Sequence, residues 1–251
     1  MNDNSILFER ICDNNKIKLQ VTYDDCSDAL DSPRNCDNLC NITTYYRNHS
    51  IGDIKNCSLE EMYNNIIQTL CEEAGGLDKL SDDLLAELDN NLVIDVYSAL
   101  VAAIEKEMDK YFIWLPIYLY NHSSIAISTQ PFNCRWDSGR IGYIYMTKAA
   151  AQDSFASAPA VLLKHVYELL TDEVKTYNQF INGDVYRWQV LLKDSNNNWF
   201  IENSCGSYYN EAACEADGVN AFFYYFAEYE ANELSPATTP IAPHGDFNQL
   251  I

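Results

Sequence analysis

Short runs of alternating or β-branched apolar residues predict strands near both ends of the chain. Ile6–Cys12 and Ile17–Tyr23 flank a short polar stretch, which predicts a β-hairpin. A second hairpin is predicted from Asp184–Leu192 and Trp199–Ser204. After the first hairpin, a loop rich in Asp, Asn and Ser is predicted to lead into a strand at Leu39–Tyr46.

The stretch Phe112–Lys148 holds two of the four tryptophans and is predicted to form the centre of the fold. Its aromatic and β-branched residues predict three strands, at Phe112–Tyr120, Ile125–Thr129 and Ile141–Met146. Pro116 has no N–H group to donate, so it predicts a bulge or a sheet edge in the first of these strands. The loop Gln130–Arg140 separates the last two strands, and Trp136 within it is predicted to anchor the core.

Apolar residues that recur at helical spacing predict the helices. Ser58 and Glu61 form a capping-box pattern that predicts a helix start, and Gly75-Gly76 predicts its end. The apolar residues between them share one side of this helix: Leu59, Met62, Tyr63, Ile66, Ile67 and Leu70. Further helices are predicted from Ser81 onward, at Val93–Met108, at Lys148–Thr171 with an interruption at Pro159, and at Tyr208–Leu234 with a stripe of aromatic residues.

Together these patterns predict an α+β fold, with a mixed or antiparallel sheet of about six to eight strands flanked by acidic helices. The sequence has no internal repeat and no clear linker, so we expect one domain over residues 1–234. Three of the seven prolines fall in residues 235–251, which predicts an extended C-terminal arm.

The charge is strongly negative and unevenly distributed along the sequence. The chain has 16 Lys and Arg against 37 Asp and Glu, a formal net charge of −21. Such a charge repels nucleic acid and anionic lipid, so we expect direct binding to neither. Residues 58–110 hold 13 acidic and 3 basic side chains, and residues 194–251 hold 9 acidic and no basic ones. Both stretches are predicted to be largely helical.

Acidic residues one turn apart on a helix lie roughly 5–6 Å from each other. This spacing approximates that of phosphates along a nucleic-acid backbone, so a rigid acidic protein can occupy the basic cleft of a nucleic-acid-binding enzyme. The predicted contact residues are Glu60, Glu61, Glu72, Glu73, Asp82, Asp83 and Glu87. The alternative is that these carboxylates only keep the protein in solution.

Several other classes of protein are disfavoured. Nine cysteines without a Cys-x-x-Cys pair fit reduced thiols in a reducing cytosol better than a zinc site or disulfides. No secretory signal and no membrane-spanning segment is expected, because the sequence lacks the necessary apolar runs. The acidic cluster between Asp24 and Asp37 does not match a calcium loop, and no phosphate-binding glycine pattern occurs. We therefore expect no metal and no cofactor.

One constellation in the central stretch resembles enzyme chemistry. His122, Cys134 and Asp137 are the residue types that act as base, nucleophile and orienting carboxylate in acyl transfer, and Ser123 and Ser138 are alternative nucleophiles. No nucleophile-elbow motif surrounds either serine. The simpler interpretation is turn formation, since Asp and Ser side chains bind nearby backbone amides.

Five segments of the chain resemble an uncharacterised family of small acidic proteins from bacteriophages and mobile elements. They are DSPRNCDNL, HSIGD, IYLYNHSSIAISTQPFNCRWDSGRIGYIYMTK, NGDVYRWQV and IENSCGSYYN. The Trp-Asp-Ser-Gly core is the most specific part of the resemblance. The family implies no established reaction, and hence no catalytic residues, but it does imply a phage-encoded accessory protein.

We therefore expect a phage-encoded protein that binds and inhibits a host nucleic-acid-handling defence enzyme in the host cytoplasm, as an acidic nucleic-acid mimic. Its partner would be a basic host protein. One alternative is an enzyme of unknown reaction type with its site near His122, Cys134 and Asp137. The other is a virion or assembly component that makes contact through the C-terminal arm.

Overall fold

A computed structural model describes residues 5–25, 32–36, 38–47, 50–54, 57–89, 96–155 and 158–234. Within these ranges the chain forms six α-helices and eight strands, and the strands make two antiparallel sheets of four. The predicted α+β class is therefore confirmed, with the eight strands divided between two sheets. The C-terminal arm predicted for residues 235–251 lies outside the described residues.

In chain order the elements are β1 (Ile6–Ile11), β2 (Ile17–Tyr23), β3 (Asn41–Thr44), α1 (Leu59–Ala74), α2 (Asp82–Asp89), α3 (Val96–Tyr111), β4 (Phe112–Asn121), β5 (Ile125–Ser128), β6 (Ser138–Thr147), α4 (Lys148–Ser154), α5 (Pro159–Asn182), β7 (Tyr186–Lys193), β8 (Trp199–Tyr208) and α6 (Glu211–Leu234). They fall into two compact units. Residues 25–184 form the central unit, and residues 1–24 with 185–251 form the terminal unit. The expectation of one domain over residues 1–234 stays a prediction.

The central unit has a layer of helices on each face of its sheet. The strand order is β3-β6-β4-β5, and all neighbours are antiparallel. Successive side chains of a strand point to opposite faces, so β4 directs Ile113 and Ile117 to one face and Phe112 and Trp114 to the other. The first face packs against α4 and α5, and the second packs against α1, α2 and α3. This unit therefore has two hydrophobic cores that share one sheet.

The terminal unit packs one helix against one face of its sheet. The strand order is β1-β2-β7-β8, again antiparallel throughout. Leu19 and Trp188 of the sheet form a core with Cys214 and Phe222 of α6. Gly218 permits a close approach of the helix, because a Cβ atom at this position would lie 2.9 Å from Cβ of Trp188.

The signals at Ser58, Gly75 and Pro159 mark helix boundaries as predicted, but the helix predicted to end at Thr171 continues to Asn182. The Ser58 hydroxyl accepts a hydrogen bond from the Glu61 N–H at 3.1 Å, and the Glu61 carboxylate accepts one from the Ser58 N–H at 2.7 Å, which confirms the capping box. Gly75 ends α1 with a φ of 83°. Pro159 separates α4 from α5 and begins α5, since its fixed φ suits the first helical turn. Gly183 ends α5.

The strands also follow the predicted pattern. Both hairpins are present, as β1 with β2 and as β7 with β8. Pro116 lies in β4, which pairs with β5 only over Tyr118–Asn121, and a register shift separates Ile117 from Tyr118. Among the described strands, none pairs with Pro116 on the β5 side. The missing N–H is therefore tolerated at a position that is open on the β5 side, which confirms the predicted edge; the bulge lies between Ile117 and Tyr118.

A buried arginine ties three parts of the central unit together. The Arg34 guanidinium donates Nε and Nη2 hydrogen bonds to the two carboxylate oxygens of Asp53, at 2.7 and 3.0 Å, and Nη1 donates to Glu173 of α5 at 2.6 Å. It also donates to the Cys40 carbonyl at 2.7 Å. Only 6% of the Arg34 side chain is exposed. The forked guanidinium thus joins the segment before β3, the turn after β3, and α5.

The Arg34 contacts predict a large loss of stability on truncation. Arg34→Ala would leave Asp53 and Glu173 close together without their shared cation, so the free energy of unfolding of the central unit should fall by about 3 kcal/mol. Urea denaturation measures this change. Arg135→Ala is the matched control, because Arg135 is exposed, and it should change the free energy by less than about 0.5 kcal/mol. Equal losses in the two variants would contradict the assigned role of Arg34.

Candidate functional site

The seven predicted contact acids lie on α1 and α2, two of the three helices that cover the second face of the central sheet. Glu60, Glu61, Glu72, Asp82 and Asp83 are exposed, whereas the other two are half-buried. We call this set the acidic helix surface: Glu60, Glu61, Glu72 and Glu73 of α1 with Asp82, Asp83 and Glu87 of α2.

Four of these acids stabilise the helices that carry them. Glu60 and Glu61 lie in the first turn of α1, and Asp82 and Asp83 lie in the first turn of α2. Carboxylates at these positions interact favourably with the positive end of the helix dipole. The hydrogen bond from the Ser58 backbone N–H also lowers the pKa of Glu61 below its usual range. Stabilisation of α1 and α2 is therefore sufficient to explain the presence of these four acids.

The remaining three acids destabilise the helices that carry them. Glu72 and Glu73 lie at the C-terminus of α1, and Glu87 lies near that of α2, where the helix dipole is negative and favours Lys or Arg. Neither helix has a basic residue in its last turn. Each carboxylate there costs roughly 0.3–1 kcal/mol at low ionic strength. Local rules are most often broken where a protein has another use for the residue.

Few cations neutralise the acidic helix surface. Among the ion pairs of the described residues, only Asp83 of the seven takes part, with Lys106 of α3 at 2.6 Å. The hydrogen bond and charge of Lys106 lower the pKa of Asp83 below its usual range. Both partners are about two-thirds exposed, so this pair contributes little to stability. The surface therefore keeps most of its negative charge.

A buried carboxylate lies on α3, which packs beside α1 and α2. The Glu107 side chain is fully buried and accepts a hydrogen bond from Lys110 Nζ at 2.8 Å. Burial favours the neutral form, but the hydrogen bond from Lys110 and its charge outweigh it and hold the pKa below its ordinary value of 4.5.

The residues of the predicted catalytic constellation lie close together at one end of the central sheet. The Asp137 carboxylate oxygen Oδ2 accepts a hydrogen bond from the Cys134 thiol at 3.4 Å and lies 3.4 Å from Nδ1 of His122. The Asp137 carbonyl accepts a hydrogen bond from the Asn121 N–H at 2.8 Å. The structure thus brings His122, Cys134 and Asp137 into one cluster.

The order of groups in this cluster differs from that of a nucleophilic triad. In such a triad the imidazole lies between the nucleophile and the carboxylate, so that it can remove the proton of the nucleophile. Here the carboxylate of Asp137 lies between the thiol of Cys134 and the imidazole of His122. Among the described residues, no hydrogen bond joins the Cys134 thiol directly to the His122 imidazole. The cluster holds the loop in shape without placing the imidazole on the thiol.

The expectation that Trp136 anchors the core is wrong. Its side chain is 94% exposed, the highest value among the exposed large hydrophobic side chains of the described chain. Hydrogen bonds between the residues on either side of Trp136 fix the shape of the loop. The Cys134 thiol donates to the Asp137 carboxylate, and the Ser138 hydroxyl donates to the Cys134 carbonyl. Trp136 projects outward between these anchors. The sequence signal for the exposure of Trp136 was the turn-forming stretch Asp137-Ser138-Gly139 that follows it.

The predicted acidic cluster forms no metal site among the described residues. The described residues contain no group of three or more His, Cys, Asp or Glu that could hold a metal ion. Within the predicted acidic cluster, Asp24 accepts a hydrogen bond from the Ser207 N–H at 2.8 Å, and positions 28, 31 and 37 lie outside the described residues. No helix in the described part of the chain is long and apolar enough to cross a membrane. Comparisons with protein-family models, curated proteins and solved structures find no match.

The contrast between two tryptophans gives a stability test. Trp188 is 5% exposed and its indole N–H donates to Asp217 at 2.9 Å, so Trp188→Ala should lower the free energy of unfolding of the terminal unit by about 3–5 kcal/mol. Trp136→Ala should change stability by less than about 0.5 kcal/mol, because the side chain packs against little. Thermal and urea unfolding of both variants measure these effects. A strong destabilisation by Trp136→Ala would contradict its exposed position.

The Glu107 contact predicts a specific dependence of stability on pH. Because folding lowers the pKa of Glu107, the ionised side chain stabilises the fold above its ordinary pKa of 4.5 and loses this effect as pH falls through the folded value. Glu107→Gln cannot ionise, so its free energy of unfolding should fall less steeply with acid than that of the wild type. Urea titrations from neutral pH down to about pH 3 measure both slopes. Parallel curves would contradict this assignment.

Proposed function

We propose that this protein binds and inhibits a host nucleic-acid-handling enzyme, and that the acidic helix surface contacts a basic cleft of that enzyme as a mimic of nucleic-acid phosphates. The observation that carries this proposal is the placement of Glu72, Glu73 and Glu87 at helix C-termini without basic neighbours. These acids weaken their own helices, and none of the three takes part in an ion pair of the described residues; Glu72 accepts only a neutral hydrogen bond from Gln68. Attraction of a cationic partner to this surface explains why these acids are present.

The charge of the whole chain supports the same kind of partner. The central unit has 11 basic and 24 acidic residues, and the terminal unit has 5 basic and 13 acidic residues, so both units are strongly negative. Such a field accelerates association with cationic proteins and keeps nucleic acid away. The resemblance to a phage family supports a host defence enzyme as the target and the host cytoplasm as the location.

The cluster around Asp137 supports catalysis less well. Its carboxylate lies between the thiol and the imidazole, an order that does not place the His122 imidazole against the Cys134 thiol. It instead supports a binding role for the same loop, because a rigidly held, exposed tryptophan is a common anchor of protein interfaces. We therefore place Trp136 among the candidate contact residues.

A capture experiment followed by charge neutralisation tests the proposal. Tagged protein is incubated with host lysate, and the captured proteins are identified and purified. Binding of the purified target should weaken steeply as salt is raised, and duplex DNA should compete for it. The combined variant Glu60→Gln, Glu72→Gln, Glu73→Gln and Asp82→Asn should reduce its affinity at least about tenfold, because several opposite charges are lost from one contact.

A second variant with the same change in charge serves as the control. Asp153→Asn, Glu168→Gln, Asp172→Asn and Asp184→Asn neutralise four exposed acids that lie outside the acidic helix surface. This variant should keep most of the affinity of the wild type. Equal losses of affinity in both variants would mean that net charge, and not the acidic helix surface, determines binding. Binding that salt and DNA leave unchanged would rule out phosphate mimicry.

A further inference from the structure

We draw no further inference here: the strongest candidate, the edge strand β8 of the terminal unit with its exposed Phe200 and Ile201, carries nothing, because nothing in the described part of the chain shows what would cover it.

Discussion

The central unit depends on the antiparallel pairing of β4 with β6. These two strands occupy the middle of the sheet, and their alternating side chains supply both hydrophobic cores. Tyr143 and Ile144 illustrate the arrangement, since neighbouring residues of β6 are fully buried on opposite faces. A slip of one residue in this pairing would exchange the contents of the two cores. The register of one strand pair therefore fixes where both helix layers lie.

Much of this architecture could be predicted from local sequence signals. The capping box at Ser58, the glycine that ends α1, and the short spacing within each hairpin act over a few residues, and the structure confirms them. The division of eight strands into two sheets was not predictable in this way. It depends on the pairing of β2 with β7 across most of the chain, and an alternating pattern does not specify the partner of a strand.

Contacts between distant residues account for the other gaps between sequence and structure. The buried Arg34 guanidinium binds the carboxylates of Asp53 and Glu173, and no sequence motif predicts these contacts. The sequence predicts that Trp136 anchors the core, yet hydrogen bonds among its neighbours hold it in solvent. The grouping of His122 with Cys134 and Asp137 followed from the predicted strands. The order of their contacts depended on side-chain geometry, which the sequence does not contain.

The route of the chain through the two units has a consequence for biosynthesis. The central unit is one continuous segment, inserted between β2 and β7 of the terminal unit. During translation it can begin to fold while the ribosome is still adding residues. The hairpin of β1 and β2 emerges first but lacks its partner strands until β7 and β8 are made. For most of synthesis the nascent polypeptide therefore exposes an unpaired strand edge, the kind of surface that chaperones protect from aggregation.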